Sequence, residues 1–311
     1  MNTPPRKPIV GLALGGGAAR GWAHIGVIRA LEEAGIRPDV VCGTSMGALV
    51  GAAYAAGELD AFEEWARGLG LRDVLSNIDV SLSSGFFKGE KLMDFLRGKF
   101  VDRDIEDLAM PFAAVATSLH TGAEIWLRHG STLDAVRASI AVPGLLTPVI
   151  LDGAVLVDGG LVNPIPVSLA RAMGADVLIA VDLCSDLVGR HPLETTEPVP
   201  EPERGELREW IDKLHDYLGD LIPALAPDEP RVPSMLDVMT SSVYIMQVRI
   251  ARSRLAGEPP DLIVTPRLAQ LGLFDFHRAA EAIEEGRRAV ERVSHVLPEF
   301  ANRLGDMGHE T

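Results

Sequence analysis

A serine hydroxyl is a weak nucleophile until a neighbouring base takes its proton and the backbone holds its Oγ in the open. The segment Gly43-Thr44-Ser45-Met46-Gly47 meets the second condition. In a sharp strand-to-helix turn, small residues two before and two after the serine relieve crowding, and Gly43 and Gly47 occupy those places. The same turn aims the N–H of Met46, at the helix start, toward an oxyanion formed beside Ser45. The chemistry implied is acyl transfer through a covalent serine intermediate. Five residues are a short signature, and an N-cap serine at an ordinary strand-to-helix turn would also fit. Context favours the nucleophile: Asp39 to Cys42 reads as a short buried strand, and Ala48 to Ala56 as a small-residue helix stopped by Gly57.

A second glycine turn, Gly15-Gly16-Gly17-Ala18-Ala19-Arg20-Gly21, follows the apolar run Ile9 to Leu14. As a dinucleotide phosphate loop it has two defects. Arg20 stands where Gly or Ala is wanted, and no acidic residue closes the next strand to recognise a ribose. The same physics suits an oxyanion hole, with amides of Gly15, Gly16, Gly17 and Ala18 exposed at a helix N-terminus. Arg20 would add positive charge there, hold the loop, or meet a lipid phosphate. Both turns fall at carboxyl ends of adjacent parallel strands, where open α/β sheets bind ligands.

The base is less obvious. The chain has eight histidines: His24, His120, His129, His191, His215, His277, His295 and His309. His24 lies one turn into the first helix and reads as a partly buried packing residue, and the others sit in predicted helices or polar loops. Asp158 differs. It ends the aliphatic strand Val155 to Val157 and precedes Gly159-Gly160, so its carboxylate stands at a strand end beside backbone free to turn. A carboxylate within hydrogen-bond reach can accept a serine proton directly. An isolated Asp-Gly-Gly is also a common Asx turn.

The positioning elements alternate. Strand, glycine turn, helix, strand, glycine-bounded turn and helix open the chain, which predicts a parallel sheet with helices on its faces. Apolar residues Trp22, Ile25, Ile28 and Leu31 give the first helix its inner face. Phe112 to Thr117 and Ala123 to Leu127 flank Thr121-Gly122 as a hairpin. Pro164 to Met173 reads as a helix, Asp176 to Leu183 as a buried strand and Leu262 to Val264 as a last short one. Residues 184–206, rich in proline and glutamate, read as a linker or exposed loop. Beyond it come two amphipathic helices. The first carries Leu207, Ile211, Leu214, Leu218 and Leu221. The second carries Leu236, Met239, Val243, Met246 and Ile250, with Arg249, Arg252 and Arg254 toward its end. A charged helix, Phe274 to Leu304, closes the chain.

Composition bounds the partners. The 311 residues are 47% hydrophobic and 5% aromatic with 31 glycines, suited to close helix–sheet packing in one large domain. A formal net charge of −15 argues against nucleic-acid binding. Two cysteines, Cys42 and Cys184, make no disulfide scaffold and fit a reducing cytoplasm. No stretch reads as a signal peptide or membrane span, and no residue cluster has metal-ligand spacing, so neither metal nor cofactor is expected.

Together these residues carry a resemblance. Gly15-Gly16-Gly17-Ala18-Ala19-Arg20-Gly21-Trp22-Ala23-His24-Ile25-Gly26 resembles the oxyanion block of the patatin-like phospholipases. Gly43-Thr44-Ser45-Met46-Gly47 resembles their nucleophile elbow, Ala138-Ser139-Ile140-Ala141-Val142-Pro143 their central block, and Asp158-Gly159-Gly160 their catalytic aspartate. The blocks keep the family's order between about residues 9 and 183. The chain is most similar to the bacterial branch related to neuropathy target esterase. Leu14 stands where plant members often have an acidic residue before the glycines, and the glycine block carries an extra alanine relative to the shortest family form.

The resemblance implies a Ser45–Asp158 dyad without histidine, with Gly16, Gly17 and neighbouring amides binding the oxyanion. It also implies a three-layer α/β/α sandwich with a mostly parallel central sheet, and hydrolysis of phospholipid, lysophospholipid or simple esters. The expected layout is a catalytic core over residues 9–183, the linker over 184–206, and a helical portion with a short strand over 207–311. Residues 235–255 either pack on the core, pair with a second subunit in a homodimer, or form a lid that touches lipid at the inner membrane surface. Two other readings stand beside the hydrolase. One is a regulatory or partner-binding protein that keeps the fold, and the other is the disfavoured nucleotide-dependent oxidoreductase.

Overall fold

A computed structural model of the chain describes residues 7–70, 90–99, 103–185 and 235–298. Five-residue apolar runs form its centre. Strands β1 (Val10–Leu14), β2 (Val40–Thr44) and β7 (Val177–Val181) are buried along their whole lengths, as expected of parallel strands covered on both faces. β1 lies between β2 and β7 and parallel to both, with Gly11 opposite Val40 and Val10 opposite Val177. β7 is parallel to β8 (Leu262–Val264). β2 is parallel to β3 (Phe112–Ser118), which pairs antiparallel with both β4 (Glu124–Leu127) and β6 (Ala154–Asp158). β5 (Val149–Leu151) adds an antiparallel edge on β6.

The pleat divides the core in two. Leu12, Leu14, Val41, Phe112, Ala114, Ile179 and Val181 face one side. There they pack against α1 (Ala23–Glu33), α2 (Met46–Ala55), α3 (Leu59–Gly68), α5 (Thr132–Ser139) and α8 (Ala279–Arg292). Ala13, Cys42, Ala113, Val115, Leu178 and Ala180 face the other, under α6 (Val167–Ala172) and α7 (Met235–Gly257). Alternation with period two along every central strand gives the α/β/α layering its physical cause. A further helix, α4 (Glu90–Lys99), adds to the α5 side.

Two contacts tie the first glycine turn to the body. Gly26 of α1 and Gly286 of α8 cross so closely that a methyl on either would collide with the other helix's backbone, at Ile283 and Ala23. Trp22, at the end of a 3-10 turn over Ala18–Trp22, stacks among Phe62, Trp65 and Phe276, with ring centres 5.6, 5.7 and 6.2 Å away. Its Nε1 also donates to the Phe276 carbonyl at 3.2 Å.

One feature of the sheet governs the site. β4 occupies one edge of β3 from Ala114 to Thr117. β2 pairs with β3 as far as Thr44 opposite Val115, and β6 pairs from Asp158 opposite Ala116. Both overlap β4 in register, so both must lie on the other edge. Because β2 runs parallel to β3 and β6 antiparallel, their carboxyl ends meet head on between Val115 and Ala116. The residues that end them are Thr44, followed by Ser45, and Asp158.

Several elements differ from the sequence reading. β2 runs two residues further, to Thr44, because the buried ladder continues to the turn. α6 starts only at Val167, after Pro164 and Pro166, which suit a helix start but not its interior. Within the segment expected as one closing helix, a 3-10 turn over Phe276–Arg278 leads into α8, with Val293 as its C-cap, and residues 299–304 lie outside the described residues. On α7 the buried face is Val248 and Ala251, with Leu255 partly buried beside them, whereas Met246 is 51% exposed. Of the expected stripe, Met246 is exposed and Val243 and Ile250 are half-buried, and the side chains of Leu236 and Met239 lie outside the description. A polar inner residue, Gln247, packed against Gly160, blurs the helical periodicity. The first amphipathic helix, Leu207 to Leu221, and nearly all of the linker lie outside the described residues.

Candidate active site

Ser45 sits between β2 and α2 with φ +54° and ψ −124°, backbone that a non-glycine residue adopts at a cost of about 1–3 kcal/mol. The surrounding glycines explain how the chain tolerates it. A methyl on Gly43 would collide with the Gly47 backbone, and one on Gly47 with the Leu14 carbonyl. The Ser45 N–H donates to Ser139 Oγ at 2.8 Å, and its residue is 8% exposed.

Asp158 arrives from the opposite direction and is 1% exposed. Its backbone is held on both sides: the N–H donates to the Ala141 carbonyl at 2.9 Å, and the carbonyl accepts from Thr117 Oγ1 at 2.8 Å. Gly159, next in the chain, lies against the Val115 carbonyl with no room for a side chain. Carboxylate Oδ1 accepts the Gly160 N–H at 2.7 Å. Oδ2 is buried without a partner of full hydrogen-bond geometry among the described residues, yet the Ser45 hydroxyl is near enough to stabilise the charged form. Burial dominates, opposed by Ser45 and the Gly160 amide, and raises the Asp158 pKa from 3.8 to about 6.

The glycine turn beside them is only partly available. The Gly15 N–H extends the β1–β7 ladder to Val181 O at 3.1 Å, and Gly16 N–H donates to Pro164 O at 3.0 Å. Those two amides, expected in the oxyanion hole, are spent on holding the loop to the sheet. The Arg20 amide is likewise committed, to Gly17 O. Gly17, Ala18 (φ +48°) and Met46 have no backbone acceptor among the described residues. His24 is fully buried and its Nε2 donates to the Gly15 carbonyl at 2.7 Å. Desolvation, against that bond, lowers its pKa to about 4, so the ring is neutral. Cys184 Sγ donates to the Gly16 carbonyl at 3.4 Å.

Arg20 is 7% exposed. Its Nε donates to Leu268 O at 3.3 Å, its guanidinium stacks over Tyr244 at 5.3 Å, and Nη1 has no partner among the described residues. Helix α7 covers this side. Gln247 packs against Gly160, and Arg254 pairs with Glu124 at 2.6 Å, which also accepts from Asn163 Nδ2 at 2.7 Å. Arg254 is therefore latched to the sheet, while Arg249 and Arg252 are exposed.

The structure thus brings Ser45 and Asp158 together, sets Gly16 against the Ser45 side chain and Gly21 against Met46, and places Arg20 and Asp158 both within electrostatic reach of Cys184 and Tyr244. It ranks Gly43, Gly47, Gly159 and Gly160 as spacing residues, and it turns Gly15 and Gly16 into anchors. Tyr244 and Gln247 escaped the sequence reading because nothing in residue order says which loop a distant helix covers. Among the described residues no cluster of histidine, cysteine and carboxylate is disposed to hold a metal, and no helix is long and apolar enough to cross a membrane.

The sequence profile of the patatin-like phospholipases matches residues 12–171, spanning both glycine turns, Ser45 and Asp158. The chain belongs to the patatin-like phospholipase family. It is 34% identical to an uncharacterised NTE family protein of Mycobacterium tuberculosis, over 90% of each chain. With human patatin-like phospholipase domain-containing protein 6 it shares 33% identity over 77% of its length, spanning 17% of that protein. VipD of Legionella pneumophila aligns over 97% of the chain and 80% of its own, at 12% identity and a TM-score of 0.39, a distant likeness. Family membership supports lipid hydrolysis as the broad activity of the patatin-like chain.

Proposed function

We propose that this patatin-like protein is a serine acyl hydrolase that cleaves carboxylic esters of phospholipids or lysophospholipids with a Ser45–Asp158 dyad. The observation that carries this reading is the meeting of β2 and β6 on one edge of β3, which sets a strained, buried serine beside a buried carboxylate. Ser45 Oγ attacks the ester carbonyl and Asp158 takes its proton. The oxyanion develops against the N–H groups of Gly17, Ala18 and Met46. Collapse expels the alcohol, which leaves with the proton from Asp158. Water then attacks the acyl-serine with Asp158 again as base, releasing the fatty acid and restoring Ser45.

Histidine has no part in this scheme. His24 is neutral, buried and committed to Gly15. In the proposed setting the enzyme is cytoplasmic, with both cysteines buried and free. Residues 235–255 meet the lipid surface through Val238, Ile245 and Met246, each 51% exposed. Fatty-acid release from diacyl and monoacyl phosphatidylcholine tests the reaction. Wild type is expected to release acid and Ser45→Ala none. Equal release by both would overturn the reading, as would an inert, folded wild type on every ester offered.

A further inference from the structure

The rungs between β2 and β3 follow a fixed rule. Val41 N–H donates to the Pro111 carbonyl at 3.0 Å, and the register advances two residues at a time on both strands. The next donor after Gly43 is Ser45, and the acceptor due to it is Val115 O. That rung is not closed directly. Ser139 Oγ stands in it, accepting the Ser45 N–H at 2.8 Å and donating to Val115 O at 2.6 Å. Ser139 is fully buried at the end of α5. Two residues on, the Ala141 carbonyl accepts the Asp158 N–H at 2.9 Å. One short segment therefore grips the backbone of both members of the dyad.

We infer that Ser139 is a positioning residue for the nucleophile. Its hydroxyl, spliced into the last rung between β2 and β3, lets the chain leave the sheet in the positive-φ conformation of Ser45 while keeping the turn anchored. The longer rung also ends the β2 pairing at Val115, leaving the next stretch of that edge of β3 to β6, which delivers Asp158. Without the hydroxyl, Ser45 N–H and Val115 O would both be buried and unpaired unless the rung closed directly. Direct closure would pull Ser45 toward β3 and away from the geometry of attack. Ser139 touches no reacting atom. It acts on where Ser45 Oγ stands relative to Asp158.

This inference rests on the proposed Ser–Asp hydrolase, and the test separates the two. Ser139→Ala, Ser139→Thr, Leu133→Ala and wild type are compared for phospholipid ester hydrolysis and melting temperature. Amide hydrogen exchange at Ser45 is read by NMR. Leu133 is a buried residue at the opposite end of the same helix from Ser139 and serves as the stability control. Ser139→Ala is expected to lose roughly 10- to 100-fold in kcat with KM little changed, and protection at the Ser45 amide falls. Ser139→Thr keeps the hydroxyl and recovers most of both. Leu133→Ala melts earlier but keeps kcat and the Ser45 protection. An active Ser139→Ala with wild-type kcat and a protected Ser45 amide would overturn the inference while leaving the hydrolase reading intact. A wild type that hydrolyses no ester overturns the hydrolase. The exchange experiment then still decides whether Ser139 holds the Ser45 backbone.

Discussion

The proton acceptor sets the pH behaviour. In the proposed mechanism Asp158 must be charged to take the Ser45 proton, and burial lifts its pKa to about 6. Activity on a soluble ester is therefore expected to rise with pH through about 6 and to be lost as pH falls below it; a flat profile from pH 5 to 8 would contradict a buried carboxylate base. Stability runs the other way. The native state binds the Asp158 proton more tightly than the unfolded chain, whose value is near 3.8. The cost of burying the charge is thus absent well below 3.8 and complete above about 6. Asp158→Asn keeps an acceptor for Gly160 and removes that charge. It is expected to be more stable than wild type at pH 7.5 by about 1–3 kcal/mol in urea unfolding, the gap closing toward pH 4. At this scale the sequence was informative. Glycines around Ser45 and after Asp158 are needed where backbones nearly touch, and that need is visible in residue type. The assignment of oxyanion amides was not, because whether Gly15 and Gly16 donate to Val181 and Pro164 depends on segments more than 140 residues away.

Elements carry the next set of constraints. The central strands were legible because burial on both faces leaves near-continuous apolar runs, and the hairpin of β3 and β4 because Thr121-Gly122 breaks two such runs. The shared edge of β3 was not legible: it follows from registers, and no local pattern records that β2 stops where β6 begins. On α7, Gln247 packs inward against Gly160 while Met246 faces out, and no local pattern records that either. The crossing of α1 and α8 gives a direct check on packing. Gly286→Val would force backbone apart at Ala23 and shift the helix that carries His24. It is expected to lower stability by about 1–3 kcal/mol or more in chemical denaturation, whereas a surface change such as Glu284→Val on the same helix should move it far less.

At the level of the whole molecule, fold class followed from alternating strands and helices, and the family from four blocks in order. Charge bears on how the protein meets its substrate. A net charge of −15 opposes approach to anionic lipid, and the repulsion is screened within about 10 Å at 0.1 M salt. Hydrolysis of vesicles containing phosphatidylglycerol is expected to be slower than that of pure phosphatidylcholine at low ionic strength. The difference should shrink on adding salt. A rate that climbs with anionic lipid at low salt would instead mark Arg249 and Arg252 as a dominant local attractor.

The central claim is that Ser45 is the nucleophile and Asp158 its base. A fluorophosphonate probe, followed by mass spectrometry of the labelled peptide, tests it most directly. The expected result is a single adduct on Ser45 of the wild type, none on Ser45→Ala, and labelling of Asp158→Asn slowed about 100- to 10,000-fold. An adduct on another residue, or wild-type labelling rates in Asp158→Asn, would contradict the account.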